Sequence, residues 1–525
     1  MPKVLIADKL SPAAVAIFKV RGVEVDVKTG LPKEELLKIV DQYDGIAIRS
    51  ATKITADVLK AAKKLKVVGR AGIGVDNVDI PAATAAGVIV MNTPFGNSIT
   101  TAEHAIALMM ALARELPAAN ASTHAGKWEK NKFMGVELYG KTLGIIGAGN
   151  IGGIVADRAK GLKMHVVAYD PYLSPDRAAE LGIEKVELDD LLARADFISL
   201  HTPLTNETRN IISAEAIAKT KKGVRIVNCA RGGLIDEAAL KAALDTGQVA
   251  GAAIDVFSEE PAKANILFGH EKVVATPHLG ASTEEAQENV ALQVAEQIAD
   301  YLLTGAIVNA LNMPSINAQE AQLVRPWISL AEKLGAFAGQ LTETSIKAVE
   351  ILYEGTAASL NQRALTQAAL AGLLKPHLPE VNMVNAPVVA KERGIKVSET
   401  RRDRQGIYEG YIKVTVTMPE MTRSVAGTVF SDGRPRLIQV KNINLDAEFA
   451  PHMLYVTNED KPGFIGKLGT LLGEAGVNIA NFTLGRNAPG EDAIALVEVD
   501  SDVGEKVVAA IRKLPLVKRA RALVF

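Results

Sequence analysis

The chain has 525 residues and a single cysteine, Cys229, so neither an intrachain disulfide nor a cysteine-built metal cluster is available to it. A reducing compartment is expected. An excess of charge of one sign is also missing, because 59 Lys+Arg stand against 60 Asp+Glu. That balance excludes a nucleic-acid backbone or an anionic membrane as the main partner, while leaving room for a local basic pocket around a small anion. No apolar run reaches the ~18 residues of a membrane span. The opening strand-like residues 3–7 lack the basic and apolar regions of a signal peptide. A soluble cytoplasmic protein acting on a small molecule is the expectation. What the chain does have is 48% hydrophobic and 23% charged residues, which excludes a disordered or fibrous protein. Its length predicts about three or four domains at roughly 100–200 residues each.

Residues 4–7, 23–27, 45–48, 67–69 and 88–91 read as buried parallel strands alternating with amphipathic helices. A long helix begins at Ser98, where Thr100-Thr101-Ala102-Glu103 has the form of a capping box, and continues to a stop at Pro117. It should bridge two domains. A second βα series has strands at 142–146, 165–169, 197–200, 225–228, 251–255 and 273–275, the pattern of a doubly wound α/β sheet. Helical text returns over 283–304, and a linker starts near Pro314. An Ala/Leu-rich helical region then runs through Leu374, followed by strands at 412–417, 424–430 and 437–440, giving an α+β unit. From His452 the order is strand, helix, strand, strand, helix, strand, a ferredoxin-like βαββαβ unit.

Gly147-Ala148-Gly149-Asn150-Ile151-Gly152 follows one of these strands and opens a helix, the context that a dinucleotide fingerprint requires. Its glycines permit the tight turn, the approach of a pyrophosphate and close helix–strand packing. Asp170 ends the next strand, where a carboxylate accepts from a ribose 2′-hydroxyl and repels a 2′-phosphate, favouring NAD over NADP. Beyond later strand ends stand Arg231, Glu260 and His278. Removing hydride from an alcohol carbon needs a base for the hydroxyl proton, a partner fixing that base, and a cation for the substrate carboxylate. His278, Glu260 and Arg231 meet those needs in that order. Each alone has a bland structural alternative; the three together form a candidate site.

The segments VNCARGGL (227–234), GAAIDVFSEEP (251–261), ATPHLGASTE (275–284) and RAGIGVDN (70–77) closely resemble the D-2-hydroxyacid dehydrogenases, and the likeness covers nearly the whole chain in the family's long form. The resemblance implies two doubly wound Rossmann-like lobes, an α+β intervening domain and a ferredoxin-like ACT domain. The implied boundaries are 1–97 with 286–315 for the substrate lobe, 98–285 for the NAD lobe, 316–450 and 451–525. It implies NAD-dependent oxidation of 3-phospho-D-glycerate to 3-phosphonooxypyruvate, at the head of phosphorylated serine synthesis. Catalytic roles fall on Arg231, Glu260 and His278. Cofactor contacts fall on Gly147, Gly149, Asn150, Ile151, Gly152, Asp170, Thr202, Cys229, Ala230, Arg231, Asp255, His278, Leu279, Gly280 and Ala281, with Asp255 near the nicotinamide carboxamide. Substrate contacts fall on Arg49, Arg70, Gly72, Asn97, Arg231 and His278. Two chain crossings between the lobes imply a hinge whose closure excludes water. The helix from Ser98 should serve a dimer or tetramer, with His104 and His124 structural.

In the C-terminal unit the resemblance places an L-serine effector on Asn458, Asp460 and Asn478, at an interface between two such units. Asn458 departs from the histidine or tyrosine often found there. No metal is implied. Two other readings compete: a dehydrogenase for glyoxylate, hydroxypyruvate or another 2-hydroxy acid, and an NAD-sensing interaction protein without catalysis. A carboxylate could also take the place of the phosphate, which admits 2-oxoglutarate reduction as a side activity.

Overall fold

Short aliphatic runs bounded by glycine, proline and aspartate turns become parallel strands in the computed structural model, which describes residues 1–403 and 406–525. The first sheet has the spatial order Glu24–Val27, Lys3–Ile6, Gly45–Ile48, Val67–Arg70, Ile89–Asn92, all parallel. The second runs Val273–Ala275, Val249–Ile254, Val224–Asn228, Phe197–Leu200, Thr142–Ile146, His165–Tyr169, Glu184–Lys185, again all parallel. Inner strands such as Gly45–Ile48 and Phe197–Leu200 are buried throughout, because helices cover both faces. Winding reverses between Thr142–Ile146 and Phe197–Leu200, and that switch point opens a crevice at the carboxyl ends of the strands.

Two helices carry the chain between these lobes. The helix Ser98–Ala113 buries Ala102, Ala105, Met109 and Leu112 with Leu143 and Ile145 of the second sheet. The helix Glu284–Thr304, capped by Thr283, returns to the first sheet and buries Val290, Val294 and Ile298 with Val4, Ile6 and Val67. The expected capping box at Thr100–Glu103 does not form. The helix starts earlier, at an Asn97 cap whose side chain makes no capping bond, and the Thr101 hydroxyl donates back to the Asn97 carbonyl at 3.0 Å. Pro117 is not the stop either. The helix ends at Ala113, and Pro117 lies in the first turn of the next helix, Leu116–His124, where its missing N–H costs nothing.

The Ala/Leu-rich stretch is not helical throughout. Between the helices Ala318–Gln340 and Gln362–Leu374 lies the strand Ala348–Gly355, with Val349, Ile351 and Tyr353 buried on one face. It sits inside a sheet of spatial order Lys396–Arg402, Ala348–Gly355, Gly410–Thr417, Thr422–Val429, Pro435–Val440, Ile443–Glu448. The first pair is parallel and the others antiparallel. The edge strands Lys396–Arg402 and Ile443–Glu448 are additions to the sequence reading; the first is exposed over most of its length and lacks an apolar period.

The last sheet is antiparallel, in the order Ile479–Arg486, Asp492–Val499, His452–Glu459, Val517–Val524, with helices Phe464–Glu474 and Glu505–Arg512. Leu454, Val456 and Val497 pack under those two helices. Met453, Tyr455, Ile494 and Leu523 join the core of the helix Ala318–Gln340 instead, where Tyr455 meets Phe337 edge-on at 5.8 Å.

Candidate active site

The glycine turn lies at the switch point of the second sheet. A Cβ on Gly152 would fall 2.0 Å from the Gly147 carbonyl, so only glycine lets helix and turn close up. A Cβ on Gly149 would meet nothing within 4 Å, so that side of the turn is open. Gly149 caps the helix Asn150–Gly161 without a side-chain bond, which leaves first-turn N–H groups for an anion. One Asp170 oxygen accepts from the Ala148 N–H at 2.9 Å and the other from the Tyr172 N–H at 2.8 Å, which fixes the carboxylate against the glycine turn. Open turn, free donors and adjacent acid together fit NAD. Thr202 follows the strand across the switch point, next to His201, which burial pushes down to about 4 and which is therefore neutral.

His278 occupies a left-handed conformation with φ 54°. Its N–H donates to the Asp255 carbonyl at 2.9 Å, and the fully buried Asp255 side chain holds the rest of the turn. One Asp255 oxygen accepts from the Thr276 hydroxyl at 2.6 Å and the Leu279 N–H at 2.7 Å, the other from the Gly280 N–H at 2.9 Å. His104 Nε2 lies 3.3 Å from the first of these oxygens. Burial alone would raise the Asp255 carboxyl, but the bonds from His104, Thr276 and Leu279 outweigh it and hold it low.

His278 Nδ1 meets Glu260 Oε2 at 2.7 Å, and Glu260 Oε1 accepts from the Phe257 N–H at 2.9 Å. The Glu260 bond raises the His278 pKa against the opposing effect of burial. Burial pushes Glu260 up, yet its bonds to His278 and Phe257 prevail and lower it. With Nδ1 committed to a carboxylate, Nε2 is the nitrogen left to exchange a proton. Cys229, on the neighbouring loop, is buried, and burial followed by the Asp255 charge pushes its thiol up. It is a packing group, not a nucleophile.

Three guanidinium groups gather opposite. Arg231 Nε donates to Asp76 Oδ2 at 2.9 Å and one terminal nitrogen to the Ala230 carbonyl at 2.7 Å. Asn228 shapes that loop, donating to the Arg231 carbonyl at 2.9 Å and accepting from the Ala230 N–H at 3.0 Å. Arg70 is brought down to about 10, first by burial and then by the charges of Arg231 and Arg49. Its buried Nε has no partner. The nearby Asp76 and Asp8 offset part of this repulsion, and an anion bound between the guanidinium groups would relieve more of it.

Other groups hold these cations in place. The buried Asp8 accepts from the Arg49 N–H at 2.6 Å and the Thr52 hydroxyl at 2.6 Å, while Asn77 donates to the carbonyls of Arg49 at 2.7 Å and Thr52 at 2.6 Å. Asp8, Asp76, Asn77 and Asn228 carry no local mark of a role in the sequence, although Asp76 and Asn77 close the RAGIGVDN segment. Gly72 gives its N–H to Thr93 Oγ1 at 2.6 Å, and a Cβ there would strike the Arg70 side chain at 1.6 Å. Its contribution is room for Arg70. Asn97 is buried at the lobe crossing with its Oδ1 unpartnered.

The residues expected to hold an effector are arranged differently. Asn458 is buried beside Glu459, whose carbonyl it contacts at 2.8 Å, and its Oδ1 has no partner. Asp460 is paired with Arg486, and Asn478 donates to Asp500 at 2.6 Å. On the shared strand, Asn458 registers with Ala493 while Ile479, next to Asn478, registers with Val499. Asn458 and Asn478 therefore lie at opposite ends of one sheet and do not meet within a chain.

A fingerprint turn, a carboxylate-paired histidine and facing arginines at the carboxyl ends of parallel strands define a nicotinamide-dependent dehydrogenase of hydroxy acids. Residues 106–280 match the D-isomer specific 2-hydroxyacid dehydrogenase NAD binding domain, and the chain belongs to that family. Residues 323–441 match the D-3-phosphoglycerate dehydrogenase intervening domain, and 452–516 the ACT domain. The chain is 45% identical over 524 residues to a D-3-phosphoglycerate dehydrogenase of Synechocystis sp., covering 99% of this chain and 94% of that one. It is 42% identical over 517 residues to the D-3-phosphoglycerate dehydrogenase of Bacillus subtilis, covering 98% of each. The solved structure of a glyoxylate reductase from Paecilomyes thermophila is 31% identical with a TM-score of 0.56, covering 59% of this chain and 98% of that one. Among the described residues no helix is long and apolar enough to cross a membrane.

Proposed function

We propose that this chain oxidises 3-phospho-D-glycerate to 3-phosphonooxypyruvate with NAD, as the names of its full-length relatives suggest. The observation that carries the reading is the His278–Glu260 pair at 2.7 Å in a cleft that also collects Arg49, Arg70 and Arg231. NAD, when bound, supplies the acceptor for the hydrogen leaving C2 with its electron pair. His278 takes the hydroxyl proton on Nε2 as the carbonyl forms, and Glu260 stabilises the resulting imidazolium. Arg231 holds the substrate carboxylate end-on, while Arg70 and Arg49 face the phosphate from the other lobe. Asn97, with its unspent amide oxygen, completes the polar wall. The residues expected to hold the cofactor line the turn, the ribose acid and the loops around Asp255. Arg49→Ala tests the phosphate role: the KM for 3-phospho-D-glycerate should rise, and an unchanged KM would remove the assignment. A carboxylate in the phosphate position gives 2-oxoglutarate reduction as a side activity.

The four units are taken to be 1–97 with 286–315, 98–285, 316–450 and 451–525. L-serine is the effector, held on Asn458 and Asp460 of one ACT unit and Asn478 of another. A homo-oligomer, a dimer or tetramer, is supported by exposed large apolar residues from Ile99 through Met110 and Leu116 to Trp128, which is 87% exposed. A cytoplasmic setting suits the one free, buried cysteine.

A further inference from the structure

The cofactor lobe's Arg231 is not held by its own lobe alone. Its Nε donates to Asp76 Oδ2 at 2.9 Å, and Asp76 belongs to the loop after the strand Val67–Arg70 of the facing lobe. The approach is close by construction: a Cβ on Gly74 would lie 1.6 Å from an Arg231 terminal nitrogen and 3.0 Å from an Asp76 oxygen. Only glycine leaves that space. The next residue, Asn77, ties the opposite side of the same loop to the carbonyls of Arg49 and Thr52. Adjacent side chains thus set the positions of two arginines that arrive from different lobes.

We propose that Asp76 is a positioning residue that orients Arg231 for the substrate carboxylate and does so only when the lobes are together. This rests on the function proposed above. Arg231 spends Nε–H on Asp76 and one terminal N–H on Ala230, which leaves its remaining terminal N–H donors, one nitrogen of them seated beside Gly74, for a carboxylate. Asp76 is well exposed, at 69%, so water screens its charge and its main effect is on geometry. Without Asp76, Arg231 keeps only its bond to the Ala230 carbonyl, and substrate binding has to order the rest of its guanidinium. The cost falls on substrate capture and on the fraction of closed lobes, not on the cofactor turn.

The test uses full-length wild type, Asp76→Ala, Asp76→Glu, Arg231→Lys and the double variant Asp76→Ala/Arg231→Lys. Asp76→Ala should raise the KM for 3-phospho-D-glycerate roughly 10- to 100-fold, with a smaller fall in kcat and unchanged NADH affinity by fluorescence. Asp76→Glu should recover part of the loss. In Arg231→Lys, which has no Nε–H fork, adding Asp76→Ala should change little, whereas additive losses would overturn the pairing. A second readout needs no turnover: hydrogen exchange in the ligand-free protein should rise in residues 230–234 on Asp76→Ala but not when that change is added to Arg231→Lys. Turnover by wild type with no exchange contrast and no KM effect overturns the inference and leaves the function standing. An exchange contrast in a protein that does not oxidise 3-phospho-D-glycerate supports the pairing and overturns the substrate.

Discussion

The cleft between the first two lobes and the C-terminal sheet place their candidate ligand-binding residues in opposite ways. In the cleft, Arg49, Arg70, Arg231, Glu260 and His278 come from distant segments and converge within one chain. In the C-terminal sheet, Asn458 and Asn478 belong to one short unit and are held apart, about 20 Å along the strands at ~3.3 Å per residue. Parallel sheets bring loops together at their carboxyl ends, whereas this antiparallel unit sends its two asparagines to opposite ends of the sheet. The candidate catalytic groups therefore meet within one chain, whereas the candidate effector residues do not.

The largest effect should come from the base. His278→Ala should lower kcat by about 10²- to 10⁴-fold in single-turnover and steady-state assays, with NADH affinity nearly unchanged. Normal turnover would remove His278 from that role and leave the cleft without a complete site.

Asp170→Ala should weaken NAD by tenfold or more and relax the exclusion of NADP, on the proposal that its carboxylate receives the ribose hydroxyls and repels a 2′-phosphate. Titration of both cofactors decides it, and an unchanged preference would contradict the contact.

Glu260→Gln has a signed pH effect. His278 must be neutral to accept the hydroxyl proton, so oxidation rises as pH passes its pKa, which Glu260 holds above the ordinary 6.5. Removing the Glu260 charge lowers that pKa. The acidic limb of the kcat/KM profile for oxidation should move to lower pH while the plateau falls. A limb that stays in place would uncouple the pair.

The smallest effect in turnover belongs to the C-terminal sheet. Asp460→Ala and Asn478→Ala should each lose the response to L-serine, and oligomers re-formed from a mixture of the two should partly regain it. Recovery requires a site shared between chains. A mixture that never recovers, in oligomers shown to exchange subunits, would mean that each chain builds its own site.

Much of the catalytic cleft is legible in the amino-acid sequence, for a physical reason. Strands such as 45–48 and 197–200 are continuous apolar runs because both faces are buried, and the chemistry stands where those runs stop. Arg231, Glu260 and His278 are recognisable on that ground. The supports are harder to see. Asp8, Asp76 and Asn77 act through partners far along the chain, and nothing local marks an aspartate as one that holds an arginine from another lobe. The strand Ala348–Gly355 hides between Ala/Leu-rich helices because its alternation of Val349, Ile351 and Tyr353 is short. Exposed edge strands such as Lys396–Arg402 carry no apolar period at all. In the C-terminal unit the element order is readable, while the separation of Asn458 from Asn478 follows from strand register, which sequence spacing does not give.

The most direct measurement is NADH absorbance on mixing purified protein, NAD and 3-phospho-D-glycerate at alkaline pH with product trapping, for wild type and His278→Ala side by side. Wild type should turn over and be suppressed by L-serine, and the variant should lose at least about a hundredfold. Equal rates in the two proteins, or no turnover by wild type beside an active control enzyme, would contradict the proposed function.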